Sequence, residues 1–179
     1  MTEKLAAFKQ QIKHETIFSD DGGGIDGLGA YRYTLWRDVR DLMTQARADD
    51  YLMIIGLNPS TATETEDDNT NRSCIRVTRR FGFAWLLMTN LFALRETSPE
   101  QMKQHAAPIG ADNNGILLEY AAGAGLILCA WGCHGSHLNR ADSVARLLAP
   151  YKLQCLRKNR DGSPKHPLYL PALDPKPWP

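Results

Sequence analysis

In Tyr51-Leu52-Met53-Ile54-Ile55-Gly56-Leu57-Asn58-Pro59-Ser60, an unbroken apolar run of strand length leads directly into a polar loop. An apolar run without polar alternation predicts a strand that is covered on both faces, as in a parallel sheet. In an open α/β sheet, ligands bind just beyond the carboxyl ends of the strands. Asn58 and Ser60 therefore stand where a site is expected, and Pro59 restricts the backbone around them. The alternative is an ordinary Asn-Pro turn after a strand.

Length and composition are those of an ordinary globular protein. The chain has 179 residues, of which 43% are hydrophobic and 23% are charged. We expect one domain, with residues 1–50 as an N-terminal extension that holds a short helix and an edge strand. Residues 51–170 form the expected α/β core, and residues 171–179 a proline-rich, extended tail.

Charge and cysteine content indicate which partners and which cellular compartment to expect. The net charge is +1, so nucleic acid or membrane would have to be contacted through a local patch. We expect no signal peptide and no membrane span. The four cysteines lack the spacing of a disulfide framework, so we expect reduced thiols and a cytoplasmic protein. We further expect a monomer that binds no cofactor, metal or membrane.

Apolar strands alternate with helical patterns along the chain. The strands are expected near residues 52–57, 84–89, 126–131 and 152–156. Helices are expected after Asn69 or Thr70, after Ser98, over about residues 111–122, and after Ser136. This alternation predicts a three-layer α/β/α domain with a central four-stranded parallel sheet.

Polar residues follow each of the four predicted strands. Asn58 follows the first strand, Asn90 the second, Trp131 and Gly132 the third, and His166 the fourth. Because parallel strands end at the same rim of the sheet, we expect these residues to line one cleft. The alternatives are that Asn90 caps a turn and that His166 is a surface histidine.

Four segments in this order resemble motifs of the uracil-DNA glycosylase superfamily. Gly56-Leu57-Asn58-Pro59 resembles the water-positioning motif, and residues 86–95 resemble the strand whose Asn, here Asn90, reads the uracil edge. Residues 128–134 resemble the third strand with its Trp-Gly turn. His166-Pro167 resembles the late His-Pro motif that inserts by the base.

The whole chain is similar to a second family, domain of unknown function 1643. That similarity is carried by three segments: Asn58-Pro59-Ser60-Thr61-Ala62, Asp67-Asp68-x-Thr70 and His166-Pro167-Leu168-Tyr169-Leu170-Pro171. Membership of this family implies no activity.

The glycosylase resemblance implies hydrolysis of the N-glycosidic bond of a base, ordinary or modified, in DNA or a nucleotide. It makes Asn58 and His166 catalytic and Asn90 a substrate-binding residue, with Pro59, Ser60, Trp131 and Gly132 beside them. Negative charge grows on the leaving base, and a neutral His166 could donate a hydrogen bond to it. The Asn90 amide could pair with the edge of a flipped base. Asn58 cannot take a proton near neutral pH, so it could only orient a water, which predicts slow chemistry.

A basic stripe lies on the helix predicted after the Asn58 loop. It consists of Arg72, Arg76, Arg79 and Arg80. One interpretation is that Arg72 and Arg76 contact phosphates of DNA or of a nucleotide beside the cleft. The other is a solvated helix face, paired with Glu64, Glu66 or Asp67.

Two patterns bear on metal binding. Cys129-x3-Cys133-His134-x2-His137 fits no common zinc site, and Cys129 falls inside a predicted buried strand. Asp67 and Asp68 could hold magnesium with a phosphate, but the dipole of the following helix favours acidic residues there in any case.

Two hypotheses from different classes therefore stand at the level of the sequence. One is a glycosylase-like enzyme, and the other is a non-catalytic module that binds nucleic acid or a nucleotide in the same pocket. Release of a free base from modified DNA would separate them.

Overall fold

The structure is a computed structural model that describes residues 15–19, 29–40, 47–60, 67–168 and 173–179, with side chains in the third range from residue 50 onward. The helix expected within residues 1–50 lies outside the described residues. Among the helices that are described, none has the length and apolar character needed to cross a bilayer.

The described strands form one mixed sheet. They are β1 (Leu35–Asp38), β2 (Arg47–Gly56), β3 (Phe83–Asn90), β4 (Leu126–Cys129), β5 (Leu153–Cys155) and β6 (Lys176–Pro177). Their order across the sheet is β1-β3-β2-β4-β5-β6. β2 pairs in parallel with β3 and β4, and β4 pairs in parallel with β5. β1 and β6 run antiparallel at the two edges.

Four α-helices connect or follow these strands in the described ranges. They are α1 (Asn69–Arg80), α2 (Pro99–Gln104), α3 (Asn113–Ala121) and α4 (Arg140–Leu147). The α/β class expected from the sequence is confirmed. The sheet itself has six strands and is mixed, whereas the sequence predicted four parallel strands. β6 was missed because two residues in a proline-rich segment carry no alternating pattern, and Pro177 can join the ladder only at an edge.

Alternation along the central strands divides the sheet residues between two cores. The side of the sheet that faces α1 contains Leu52, Ile54, Leu86, Met88, Cys74 and Val77. The opposite side contains Met53, Ile55, Leu87, Leu117, Val144 and Leu148, which pack β2 and β3 against α3 and α4. Helices therefore cover both faces, and burial on both faces explains the unbroken apolar run of β2.

Capping side chains set the helix boundaries near the cleft. α1 begins after Asp68, whose carboxylate accepts the backbone N–H of Asn71 at 2.7 Å, so neither Asn69 nor Thr70 is the cap. Ser98 caps α2 as the sequence predicted, with its hydroxyl accepting the N–H of Gln101.

α4 begins at Arg140 and not after Ser136. Residues Cys133–Asn139 form short 3₁₀ turns interrupted at His137 and Leu138. Leu138 and Asn139 have positive φ values of 52° and 54°, which reverse the chain just before the helix.

Candidate functional site

A cleft of about 430 Å³ opens at the carboxyl ends of β2 and β3. Pockets for small molecules span roughly 300–1,000 Å³, so the cleft has the size of a ligand site. Asn58, Asn90 and His166 all line it, and so do Ser60, Trp131 and Gly132. The floor is apolar and is formed by Ile54, Met88 and Ala130, which continue the core on the α1 side.

Asn58 is held by the loop that follows β3. Its amide nitrogen donates to the carbonyl of Glu96 at 2.6 Å and to the carbonyl of Pro59 at 3.0 Å. The N–H of Glu96 in turn donates to the Pro59 carbonyl at 3.0 Å, which joins the two loops. No hydrogen bond from the described residues reaches Asn58 Oδ1. That oxygen is therefore the part of Asn58 that can accept a hydrogen bond from a water or a ligand.

Asn90 ends β3 beside Gly56 of β2. The residue is only 5% exposed, and within the described chain its side-chain amide has no hydrogen-bond partner. A Cβ atom on Gly56 would lie 2.7 Å from Asn90 Oδ1. A larger residue in place of the glycine of the Gly56-Leu57-Asn58-Pro59 segment would therefore displace the Asn90 amide oxygen.

Two buried polar residues hold the backbone beneath Asn90. Asn113 Nδ2 donates to the carbonyls of Asn90 at 3.1 Å and Leu91 at 2.9 Å. Arg140 Nε donates to the same Leu91 carbonyl at 2.7 Å, and Nη1 donates to Asn114 Oδ1 at 2.7 Å. These bonds fix the end of β3 to the first turns of α3 and α4.

Arg140 is a buried cation with no carboxylate partner among the described residues. Burial lowers the pKa of Arg140 to about 10, which still leaves the guanidinium protonated at neutral pH. Nε and Nη1 are paired with a carbonyl and an amide oxygen, whereas the buried Nη2 has no hydrogen-bond partner among the described residues. This role could not be predicted from the sequence, because a polar residue at the start of a helix is normally exposed.

A short turn structure carries His166 to the cleft. Residues 157–165 fold back on themselves, with the N–H of Lys165 donating to the Arg157 carbonyl at 2.8 Å. The N–H of Gly132 donates to the Pro164 carbonyl at 2.9 Å and ties this turn to the segment after β4. Gly132 has a φ of 74°, a conformation that favours glycine.

The hydrogen bond at Nδ1 assigns the tautomer of His166. The N–H of Leu168 donates to His166 Nδ1 at 3.3 Å, so a neutral imidazole carries its proton on Nε2. Although His166 is exposed by surface area, the surrounding cleft walls desolvate the ring and lower its pKa below 6.5, while Asp68 acts in the opposite direction. At neutral pH the ring is therefore uncharged and offers Nε2–H as a donor.

Trp131 is packed within the wall of the cleft and does not expose its ring face for a base to stack on. It is 1% exposed, and Trp178 packs against it edge-on with ring centroids 4.8 Å apart. The other rings along the cleft are the imidazoles of His134 and His166. Lys103 Nζ donates to His134 Nδ1 at 2.8 Å and fixes that ring.

Several residues of the cleft were not predicted from the sequence. They include Arg32, Asn71, Glu96 and Lys165. Asn71 alone had a usable signal, because it lies one turn before Cys74 on the face of α1 that the sequence predicts to be apolar.

Arg72 and Arg76 do not line the cleft. Both are exposed, with Arg76 donating to Ser73 Oγ at 2.9 Å and Arg72 reaching Asn69 Oδ1 at 3.4 Å. Asp67 pairs with Arg37 at 2.7 Å, and Glu64 and Glu66 lie outside the described residues. Phosphate contact by Arg72 and Arg76 therefore stays a prediction.

The described residues contain no group of three or more His, Cys, Asp or Glu side chains arranged to hold a metal ion. In the Cys129-x3-Cys133-His134-x2-His137 segment, Cys129 is buried in β4, whereas Cys133 is exposed.

Comparison with known proteins gives one family. A model described as protein of unknown function (DUF1643) matches residues 32–168. This span contains every described residue that lines the cleft. No curated protein and no solved structure matches the chain.

Proposed function

We propose that this chain, which belongs to the DUF1643 family, binds a nucleobase of DNA or of a nucleotide in the cleft and hydrolyses its N-glycosidic bond. The proposal includes a fold like that of the uracil-DNA glycosylase superfamily. The observation that carries it is the meeting of Asn58, Asn90 and His166, from three separate segments, in one cleft with an apolar floor.

The shape and polarity of the cleft suit a planar heterocycle. A base lying on Ile54, Met88 and Ala130 would be covered by apolar atoms, and its polar edge would meet the unpartnered Asn90 amide. An amide offers both a donor and an acceptor, which is the pairing that a base edge requires.

The proposed bond cleavage uses His166 and Asn58 in different roles. As the bond between C1′ and the base nitrogen breaks, the electron pair goes to the base, and His166 Nε2–H donates to the charge that develops there. A water that donates a hydrogen bond to Asn58 Oδ1 adds to C1′ and releases one proton to solvent, and the departing base anion takes up one proton from solvent. The products are a free base and a sugar that carries a hydroxyl at C1′.

Asn58 also supports the alternative of a non-catalytic binding module. Its two N–H groups are committed to the carbonyls of Glu96 and Pro59, so the residue has a structural role in closing the loops. An amide is in addition a poor base, and the cleft could bind a base or nucleotide without cleaving it.

Base release from DNA tests the proposal directly. We expect slow release of free base when excess protein is incubated with oligonucleotides that contain a single deoxyuridine or deoxyinosine. The protein should be prepared from a host without uracil-DNA glycosylase activity. Asn90→Ala should abolish release, and His166→Ala should slow it by about 10²-fold or more, the usual contribution of a positioned donor.

Two other outcomes are informative. Binding of the oligonucleotide or its nucleotide without release would support the binding module. If the protein neither binds the oligonucleotide nor releases a base from it, the proposal is wrong.

The double variant Arg72→Ala/Arg76→Ala tests phosphate contact. If these side chains contact phosphates, the variant should weaken binding to DNA more at low salt than at high salt.

A further inference from the structure

Asn71 is a buried amide on the wall of the cleft. The residue is 3% exposed and lines the cleft, and its Nδ2 has no hydrogen-bond partner within the described part of the chain. Its backbone is satisfied, because the N–H of Asn71 donates to the Asp68 carboxylate at 2.7 Å. The unmet hydrogen-bonding capacity therefore belongs to the side chain alone.

The position of Asn71 would suit an apolar residue. Cys74 follows one turn later and Val77 two turns later on the same helix face, and both are buried against the sheet. Burying an amide without a partner is destabilising, so buried polar groups are nearly always paired. A donor left unpaired here, at the edge of a cleft, indicates that something entering the cleft pairs with it.

Asn71 and Asn90 lie on the same side of the sheet. Met88 of β3 belongs to the core on the α1 side, and alternation places Asn90, two residues later, on that side as well. The cleft therefore carries two unpartnered amides, one on α1 and one at the end of β3, above a shared apolar floor.

We propose that Asn71 is a specificity-determining residue that donates from Nδ2 to a second hydrogen-bond acceptor on the base held by Asn90. This inference rests on the proposed function and adds the class of base. The ligand carries an oxo group or a ring nitrogen on the edge that faces α1, in addition to the edge that meets Asn90. Oxo-pyrimidines and oxo-purines have such acceptors on more than one edge.

Binding measurements on matched variants test this role. The probes are the 2′-deoxynucleoside 5′-monophosphates of uracil, hypoxanthine and the four ordinary bases, with the dissociation constant measured by calorimetry. For the base that binds best to the wild type, Asn71→Leu should raise the dissociation constant about tenfold, the loss expected for one hydrogen bond. Asn71→Asp, which keeps the shape but removes the donor, should do the same.

Asn69→Leu is the matched control on the same helix. Asn69 is exposed and does not line the cleft, so binding should not change. The stability of the free protein gives a second readout. Asn71→Leu should raise the urea midpoint because it removes an unpaired buried donor, whereas an Asn with a purely structural role would lower it.

The outcomes separate this inference from the proposed function. If Asn90→Ala abolishes binding while Asn71→Leu and Asn71→Asp bind as wild type does, the role of Asn71 is wrong and the base pocket stands. A lower urea midpoint for Asn71→Leu also overturns the role of Asn71, whatever the ligand. If none of the six probes binds the wild-type protein, the base pocket and the role of Asn71 both fail.

Discussion

Replacing Gly56 by alanine should displace the Asn90 side chain and remove its amide from the position where it would bind a base. The added Cβ would stand 2.7 Å from Asn90 Oδ1, well inside the ordinary contact range of 3.4–4 Å. The next nearest atom, the Thr89 carbonyl oxygen, is 3.7 Å away, so the conflict is with Asn90 alone. The Asn90 side chain must therefore move by more than half an ångström or leave its position.

Two opposing effects determine how much Gly56→Ala changes the free energy of unfolding. Alanine in place of glycine restricts the unfolded chain and stabilises by about 0.4–1 kcal/mol where the native backbone tolerates it. Overpacking a well-filled site costs about 1–3 kcal/mol. We expect Gly56→Ala to lower the free energy of unfolding by roughly 1–2 kcal/mol, and to abolish binding of any base that depends on Asn90.

Gly115→Ala is the control for the glycine effect itself. Gly115 lies in α3, and a Cβ there would have no atom within 4 Å. This variant should gain about 0.5–1 kcal/mol of stability and leave ligand binding unchanged. Urea denaturation and calorimetric binding of both variants give the comparison. If Gly56→Ala is as stable as Gly115→Ala and still binds, Asn90 does not occupy the position described.

Two further predictions concern single side chains. The folded-state pKa of His166 lies below 6.5, so the unfolded chain takes up more protons than the folded chain as the pH falls. The stability of the wild type relative to His166→Gln should therefore decrease from pH 7.5 to pH 5.5. Urea midpoints of both proteins at three pH values measure this, and the same pH dependence in both would contradict it. Cys133 is the exposed member of the four cysteines, so one thiol per native chain should react with Ellman's reagent and none in Cys133→Ser, with Cys74, Cys129 and Cys155 reacting only after denaturation.

The parts of the fold that the sequence predicted well have strong local signals. The apolar run of β2 is buried on both faces, and such a run is readable without knowing its neighbours. Asn58 and Asn90 were predicted at the cleft because each comes directly after a predicted strand, whereas His166 comes about ten residues after the last predicted strand, beyond the turn of residues 157–165.

The support beneath the cleft could not be predicted in this way. Asn113 and Arg140 reach the carbonyl of Leu91 across separations of 22 and 49 residues. Such contacts depend on how α3 and α4 pack, and the hydrophobic periodicity of the sequence does not indicate them. Asn71 lies between these cases, since its place on an apolar helix face was visible but its lack of a partner was not.

The segment that contains β6 protects the sheet as well as the cleft. An open sheet edge can recruit strands from other chains and so promote aggregation, and proline and lysine discourage this. Pro177 has no N–H to offer, and Lys176 adds a charge beside it, on the strand that covers β5. The next residue, Trp178, donates its N–H to the Leu153 carbonyl at 3.0 Å and packs its ring against Trp131. Loss of this segment would therefore expose an edge for self-association and, by the same event, loosen the wall of the cleft.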